Sequence, residues 1–513
     1  MAASTWSEGY LTGSGYSHGY YRALDPRHAA FSMLLERLEG PPAGPCCELG
    51  YGQGLSLAMH AAGDPSRQWW GTDFMPGHAA QTRGLVHAAG VNAVISDQGF
   101  EEFFARADLP QFAFVGLHGV WSWVSPANRA RIVEFLRRQL MPGGVVYLSY
   151  NSLPGWAAAL PVRQLMLNYH HRATASGRPD GKRLGDALAF AQKVLSTDPK
   201  LAALAPALHK QVADWANEPP AYLLHELLHD HFHPMDFSQV AAELDIAKLS
   251  YVASSDPRDR QRDLQYSPAQ RELLTEIEDP VLRESAQDVF VARRFRSEYW
   301  VRGGRPLSQH AAARRMRAQH VVLGVARDKV PTGVVGVHGK APLPEKSLAL
   351  VLDRLEQANA PVEMGQLLDQ GALAGIEANE LVATLVGVGA LLLAGPPEEI
   401  EAARAGTRRL NRYLIAEQTH HSEIACLASA VSGGGVSVTA SMRLMLAARA
   451  DAPAQPEHWA DLAWRRMQAE GQHLMADDKR VTDRAIAARL LQPMVDTLQD
   501  RTLPRLRRLG VTD

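Results

Sequence analysis

The sequence predicts an α/β fold, a parallel sheet wrapped by helices, followed by mostly helical middle and C-terminal regions. Three observations carry this. From about residue 31 to residue 150, short apolar runs alternate with helical patterns, the βαβα rhythm of a sheet covered on both faces. The stretch CCELGYGQG, Cys46 to Gly54, sets an acid and three alternating glycines between the first apolar run and the first helical pattern. After Asn151 the strand signals fade, and Ala- and Leu-rich helical spacing takes over, broken at SGRPDG and NEPPAY.

In chain order, residues 1–30 form an N-terminal segment, a candidate lid, and residues 31–160 the α/β domain. Strands are expected at Pro45 to Leu49, Gln68 to Asp73, Ala93 to Asp97, Phe112 to Leu117 and Val145 to Tyr150. Helices such as Leu55 to Ala62 and Asn128 to Leu140 lie between them, the latter stopped by MPGG. Residues 161–305 read as a helical middle domain and 306–513 as a helical C-terminal domain, with the boundary among the Gly and Pro between Arg302 and Ser308. The helical periods from Ser347 to Ala394 have the spacing of a winged-helix-like module. The apolar run Leu381 to Ala394 is shorter than the roughly 20 residues of a membrane span and reads as a buried helix, so no membrane insertion is expected.

Composition narrows the partners. Lys plus Arg number 53 and Asp plus Glu 55, a net charge of -2 that gives no whole-chain attraction to nucleic acid or an anionic membrane. Of 3 cysteines, Cys46 and Cys47 adjoin in a strand and Cys426 is isolated, so no disulfide framework is expected. With no secretory pattern in MAASTWSEGYLTG, this points to a reducing, cytoplasmic compartment.

The glycine loop decides the chemistry. A dinucleotide fingerprint needs glycine where Leu55 stands, and a phosphate loop needs a Gly-Lys-Ser/Thr ending that is absent. What is present is acid-x-Gly-x-Gly-x-Gly, from Glu48, Gly50, Gly52 and Gly54, the pattern of the first loop in S-adenosylmethionine-dependent methyltransferases. Glycines let the backbone pass beneath an adenosyl ligand, and an acid suits a ligand bearing an ammonium and a sulfonium. Asp73, ending the second strand, is expected to accept hydrogen bonds from ribose hydroxyls, and Asp97, ending the third, to meet the adenine edge.

The segment from Leu117 to Trp156 is more specific. His118, Gly119 and Trp123 form a His-Gly-x-x-x-Trp motif, and Ser149 to Trp156 read Ser-Tyr-Asn-x-x-Pro-Gly-Trp. With YLLHELLHDHFHPMDFSQVAAEL, RRFRSEYW and CLASAVSGGGVSV further on, the chain resembles over nearly its full length the class I methyltransferases that carry a methyltransferase regulatory domain. That family includes the rickettsial protein-lysine methyltransferases. The resemblance implies a Rossmann-like class I domain, S-adenosylmethionine as cofactor, and a protein or other macromolecular acceptor, lysine first; it also implies that RRFRSEYW is a helix. A saccharide or small-molecule acceptor, and a non-catalytic regulatory protein that binds the same ligand, are the alternatives. Self-association into a homodimer is left open.

His118, at the exit of the fourth strand, is the candidate general base, and Tyr150 and Asn151, at the exit of the fifth, are candidates to position an acceptor amine. Trp121, Trp123 and Trp156 are candidates to border that acceptor, since aromatic faces attract ammonium and sulfonium groups. Packing explains each tryptophan as well, and a hydrogen-bonded turn explains Tyr150 and Asn151. His225, Glu226 and His229 spell His-Glu-x-x-His, a zinc pattern that His231 or His233 would extend. Pro234 truncates the helix and no distant acid completes the set, so no metal is expected. The clusters ARRFR and ARRMR read as solvated helix faces, and Gly433 to Gly435 as a flexible loop.

Overall fold

Burying both faces of one sheet organises the chain. The computed structural model describes residues 18–173, 180–197, 199–218, 220–229, 231–368, 376–417, 423–476 and 479–513; the first 17 residues of the expected lid fall outside it. The sheet comprises β1 (Cys46–Leu49), β2 (Trp69–Thr72), β3 (Ala93–Ser96), β4 (Phe112–Leu117), β5 (Leu140–Asn151), β6 (Leu249–Ser254) and β7 (Phe295–Arg302), in the order β3-β2-β1-β4-β5-β7-β6. β1 to β5 pair in parallel, and β7 lies antiparallel between β5 and β6. Helices α1 (Pro26–Leu35), α2 (Leu55–Gly63), α3 (Pro76–Ala89), α4 (Phe100–Phe104) and α5 (Pro126–Gln139) cover the parallel part.

Strand alternation sends neighbouring side chains to opposite cores. Cys46 packs with Met59, Trp69 and Phe114 on one side, and Cys47 with Trp70, Phe112 and Val115 on the other. This is why the adjacent cysteines stay free.

Two readings of the middle region change. It supplies β6 and β7, and RRFRSEYW, expected as a helix, is mostly strand: Tyr299 and Val301 enter one core while Trp300 enters the other. A period of two over β-branched and aromatic residues outweighs the charged run. The helices α6 (Leu160–Ala173), α7 (Asp180–Leu195), α8 (Leu208–Trp215) and α9 (Pro220–Leu228) form an insert after β5 with its own core, including Trp156, Met166, Trp215 and Phe232. The chain returns to the sheet through α10 (Phe237–Asp245), and α11 (Pro280–Phe290) precedes β7.

Further on, α12 (Gln309–Arg317), β8 (His320–Leu323), α13 (Glu345–Ala358), β9 (Val362–Glu363), α14 (Ile376–Gly387) and β10 (Leu391–Ala394) build a module around a three-stranded sheet ordered β9-β8-β10. The apolar run expected as one buried helix is therefore split. Gly387 ends α14, Gly389 takes φ +72, and the remainder pairs as β10 with β8. The helix α15 (Pro397–Ala416) then lies on the sheet domain, with Gly406 against Ala62 and Val91. Gly433 to Gly435 are no flexible loop: they turn between β11 (Cys426–Ala428) and β12 (Gly435–Ser437), where Gly433 backbone sits directly on Gly63. Only glycine fits at that contact. Leu410, Leu444 and Trp459 share the core of the sheet's α2 face.

The cluster ARRFR is not a solvated face either. Arg296 is 5% exposed and bonds Glu298 at 2.6 Å, Asp288 at 2.7 Å and Glu284 at 2.7 Å, while Arg293 reaches Asp288 at 2.9 Å. Removing one partner of a buried ion cluster strands the others in low dielectric. Arg296→Met should therefore cost about 3–5 kcal/mol in denaturant unfolding; a loss below about 1 kcal/mol would place the cluster in a far wetter setting than its burial implies.

Candidate active site

The chain leaves the sheet after Leu49 through a turn that only glycines can make. Gly50, Gly52 and Gly54 adopt φ of +71, +55 and +70. The Gly50 amide donates to Thr72 O at 2.8 Å, and a Cβ on Gly50 would approach Val120 Cγ2 to 2.6 Å. The Gly52 amide donates to Asp73 Oδ2 at 2.9 Å. Gly54 caps the N-terminus of α2, against Thr82, and does not face the cavity.

Asp73 holds this turn and lines the cavity beside it. Its Oδ1 accepts from the Met75 amide at 3.0 Å and from His78 Nδ1 at 3.1 Å. A carboxylate has about four acceptor sites, so capacity remains for a ligand's hydroxyls. Glu48 is 3% exposed on β1, and its Oε2 has no hydrogen-bond partner among the described residues. Burial, reinforced by the like charge of Asp73, pushes its carboxyl up to about 8.

An open cavity lies over the carboxyl ends of these strands. Gly50, Gly52, Thr72, Asp73, Phe74 and His78 line it near β1 and β2; Gln98, Gly99 and Phe100 follow β3; His118, Gly119, Val120 and Trp123 follow β4; His229 and His231 come from the insert. His118 Nδ1 meets Tyr147 Oη at 2.8 Å, and its ring stacks on Tyr21 with centroids 3.6 Å apart. Burial pushes the imidazole down to about 4, so it is neutral at pH 7 and a weak base.

Several expected site residues lie elsewhere. Asp97 is exposed and pairs with Arg83 at 3.1 Å; the next residue, Gln98, turns into the cavity instead. Tyr150 points from β5 into the core with Trp121, which is 0% exposed. Asn151 holds a turn: its Oδ1 accepts from Trp156 Nε1 at 3.0 Å, and its amide donates to Ser122 Oγ at 2.8 Å. Trp156 is buried in the insert under the Arg294 guanidinium, 4.5 Å from its ring centroid. Of the three tryptophans only Trp123 borders the cavity.

The sequence reading missed Phe74, His78, Gln98, His229 and His231. Phe74 and Gln98 follow directly after expected strand ends, which was the available signal, while His78 lies in the first turn of α3. His229 and His231 were visible only as a zinc pattern. α9 ends at Leu228, so His229 lies beyond it, with Nδ1 accepting from the His231 amide at 3.0 Å. Among the described residues, no three His, Cys, Asp or Glu side chains gather to hold a metal.

A family model described as a predicted methyltransferase regulatory domain matches residues 219–302, from α9 to the end of β7. The Synechocystis protein sll1526 is 30% identical over 515 residues, covering 99% of this chain and 100% of that protein. The Rickettsia prowazekii protein RP789 is 25% identical over 283 residues, 54% of this chain and 50% of that protein. Among solved structures, PKMT2 from Rickettsia typhi, determined in complex with AdoHcy, aligns with a TM-score of 0.68 at 17% identity, over 97% of this chain and 99% of that one. The two share a fold, a Rossmann-like α/β domain with a mostly helical remainder.

Glu48 makes stability depend on pH in a stated direction. Its folded value of about 8 lies above the ordinary carboxyl value of 4.5, so between these the folded state holds a proton that the unfolded state has released. This contribution is complete below pH 4.5 and is lost as pH rises towards 8. Glu48→Gln, which mimics the protonated form, should remove up to roughly 1.4 kcal/mol per pH unit of that slope in denaturant unfolding. An unchanged slope would mean that Glu48 is ionised in the fold.

Proposed function

The chain belongs to the family of the Synechocystis protein sll1526, and on that premise we propose that it is an S-adenosylmethionine-dependent methyltransferase with a macromolecular acceptor, protein lysine first. One observation carries the reading. The glycine turn and Asp73 are locked to each other through the Gly52 amide, on the floor of a cavity at the carboxyl edge of a parallel sheet.

The residues fit the ligand on three counts. Asp73 keeps acceptor capacity towards the cavity for ribose hydroxyls. Gln98 offers both donor and acceptor to an adenine edge, the part first expected of Asp97. Glu48 is a buried acid with an orphaned oxygen, the kind of group that a ligand's cationic centre would satisfy. When bound, S-adenosylmethionine supplies a methyl group on a sulfonium. The protein contributes alignment: His118, held by Tyr147 and Tyr21, walls the β4 side as a neutral imidazole, and Trp123 offers an aromatic face beside it.

In this reading residues 31–160 bind the cofactor, residues 161–305 complete the cavity, and residues 306–513 contribute to acceptor selection. The match of a regulatory-domain family to residues 219–302 supports the second role, and PKMT2 of Rickettsia typhi, bound to AdoHcy, supports the lysine acceptor by its name. Calorimetric titration with S-adenosylhomocysteine tests the cofactor. The wild type should bind, and Asp73→Ala, which removes charged acceptors from ligand and loop together, should bind about 10- to 100-fold more weakly. Absence of binding by the wild type would sink the proposal. Methyl transfer from labelled S-adenosylmethionine to lysine side chains, read by mass spectrometry of tryptic peptides, tests the acceptor; label on saccharide or small molecules alone would contradict it.

A further inference from the structure

We propose that the segment following α9 brings His231 into the cavity as the proton acceptor for the acceptor amine, with His229 beside it as a fixed hydrogen-bond donor. This rests on the methyltransferase reading above and adds to it a base supplied from outside the sheet domain.

Placement comes first. The His233 amide donates to Ser122 O at 2.8 Å, and the Met235 amide to Asn151 O at 3.0 Å. The segment is thereby pinned to the exits of β4 and β5. Asp73 and Gln98, suited to ribose and base, stand at the opposite end, after β2 and β3. The strand order β3-β2-β1-β4-β5 makes these the two ends of one cavity, so the insert faces the end left for the acceptor. Arg163 fixes the segment from behind, donating to Glu226 O at 3.0 Å and His229 O at 2.6 Å. Its guanidinium also lies 4.3 Å from the Phe232 ring centroid.

Tautomers then divide the roles. Because His229 Nδ1 accepts the His231 amide, the neutral ring carries its proton on Nε2 and acts as a donor. His229 is 1% exposed and packs edge-on to Trp123 with centroids 5.5 Å apart. His231 is half-buried at the cavity wall, flanked by His233 at 5.9 Å between centroids. His118 is less suited, since its Nδ1 is engaged by Tyr147 and one face is covered by Tyr21. The reactive step balances simply. An acceptor ammonium gives its proton to His231, and the freed lone pair bonds the methyl carbon while the C–S bond breaks and its electrons return to sulfur. The imidazolium then releases its proton to water.

His231→Ala and His231→Gln test this in the full chain. Both should bind S-adenosylhomocysteine as the wild type does by calorimetry, and both should lose about 100-fold in methyl transfer to polylysine. The loss should fall on kcat, and added imidazole should restore part of it to His231→Ala. In saturation-transfer NMR of the wild-type S-adenosylhomocysteine complex, n-butylamine should receive magnetisation. Wild-type transfer rates in the variants, or equal loss of S-adenosylhomocysteine binding, would overturn the assignment. So would a wild type that binds S-adenosylhomocysteine yet neither methylates polylysine nor contacts n-butylamine. A wild type that binds no S-adenosylhomocysteine defeats the methyltransferase reading itself.

Discussion

The turn between β1 and α2 is the constraint on which the site depends. Its glycines bring the backbone close to Val120 on one side and Thr82 on the other, leaving no room for side chains. Two amides then tie it to the neighbouring strand, Gly50 to Thr72 O and Gly52 to Asp73 Oδ2. The same carboxylate that shapes the turn therefore stands ready at the cavity, so a change in either is transmitted to the other. Glu48 behind the turn adds an acid whose ionisation the fold suppresses.

The accessory regions close on this centre. The described end of the N-terminal segment packs beside the site, with the Tyr21 amide bonding Ser56 Oγ at 2.8 Å and its ring covering His118. Arg22 continues to Val386 O at 2.8 Å, and Arg27 to Ser432 O at 2.9 Å and Glu399 at 2.7 Å. The C-terminal hairpin rests on α2 through Gly63 and Gly433. Residues 21–27 thus link the C-terminal region to the imidazole at the β4 exit by direct contacts. The insert after β5 reaches the opposite wall through His229 and His231.

The parallel part of the fold and the glycine turn were legible because they rest on local signals: apolar runs with turns between them, glycines at alternate positions, and an acid at a strand end. Asp73 was placed at a strand end for that reason, and there it bonds the Gly52 amide and lines the cavity. Asp97 was misread because the same logic does not say which of two adjacent residues faces inward; Arg83 draws its carboxylate to the surface and leaves Gln98 within. Trp121 and Trp156 were placed near the acceptor by aromatic character and Tyr150 by its position at the exit of the fifth strand, while the structure buries all three. β6, β7 and the cavity histidines were least legible, since their positions depend on long-range pairing, β7 with β5, β6 with β7 and the His233 amide with Ser122 O, which no local pattern encodes.

Hydrogen exchange with mass spectrometry, with and without S-adenosylhomocysteine, tests the central claim that turn, strand ends and insert form a single binding cavity. The account predicts slowed exchange at residues 48–55, 71–75, 97–100 and 229–235 together. Protection absent from the glycine turn, or from the insert while the turn is protected, would contradict it.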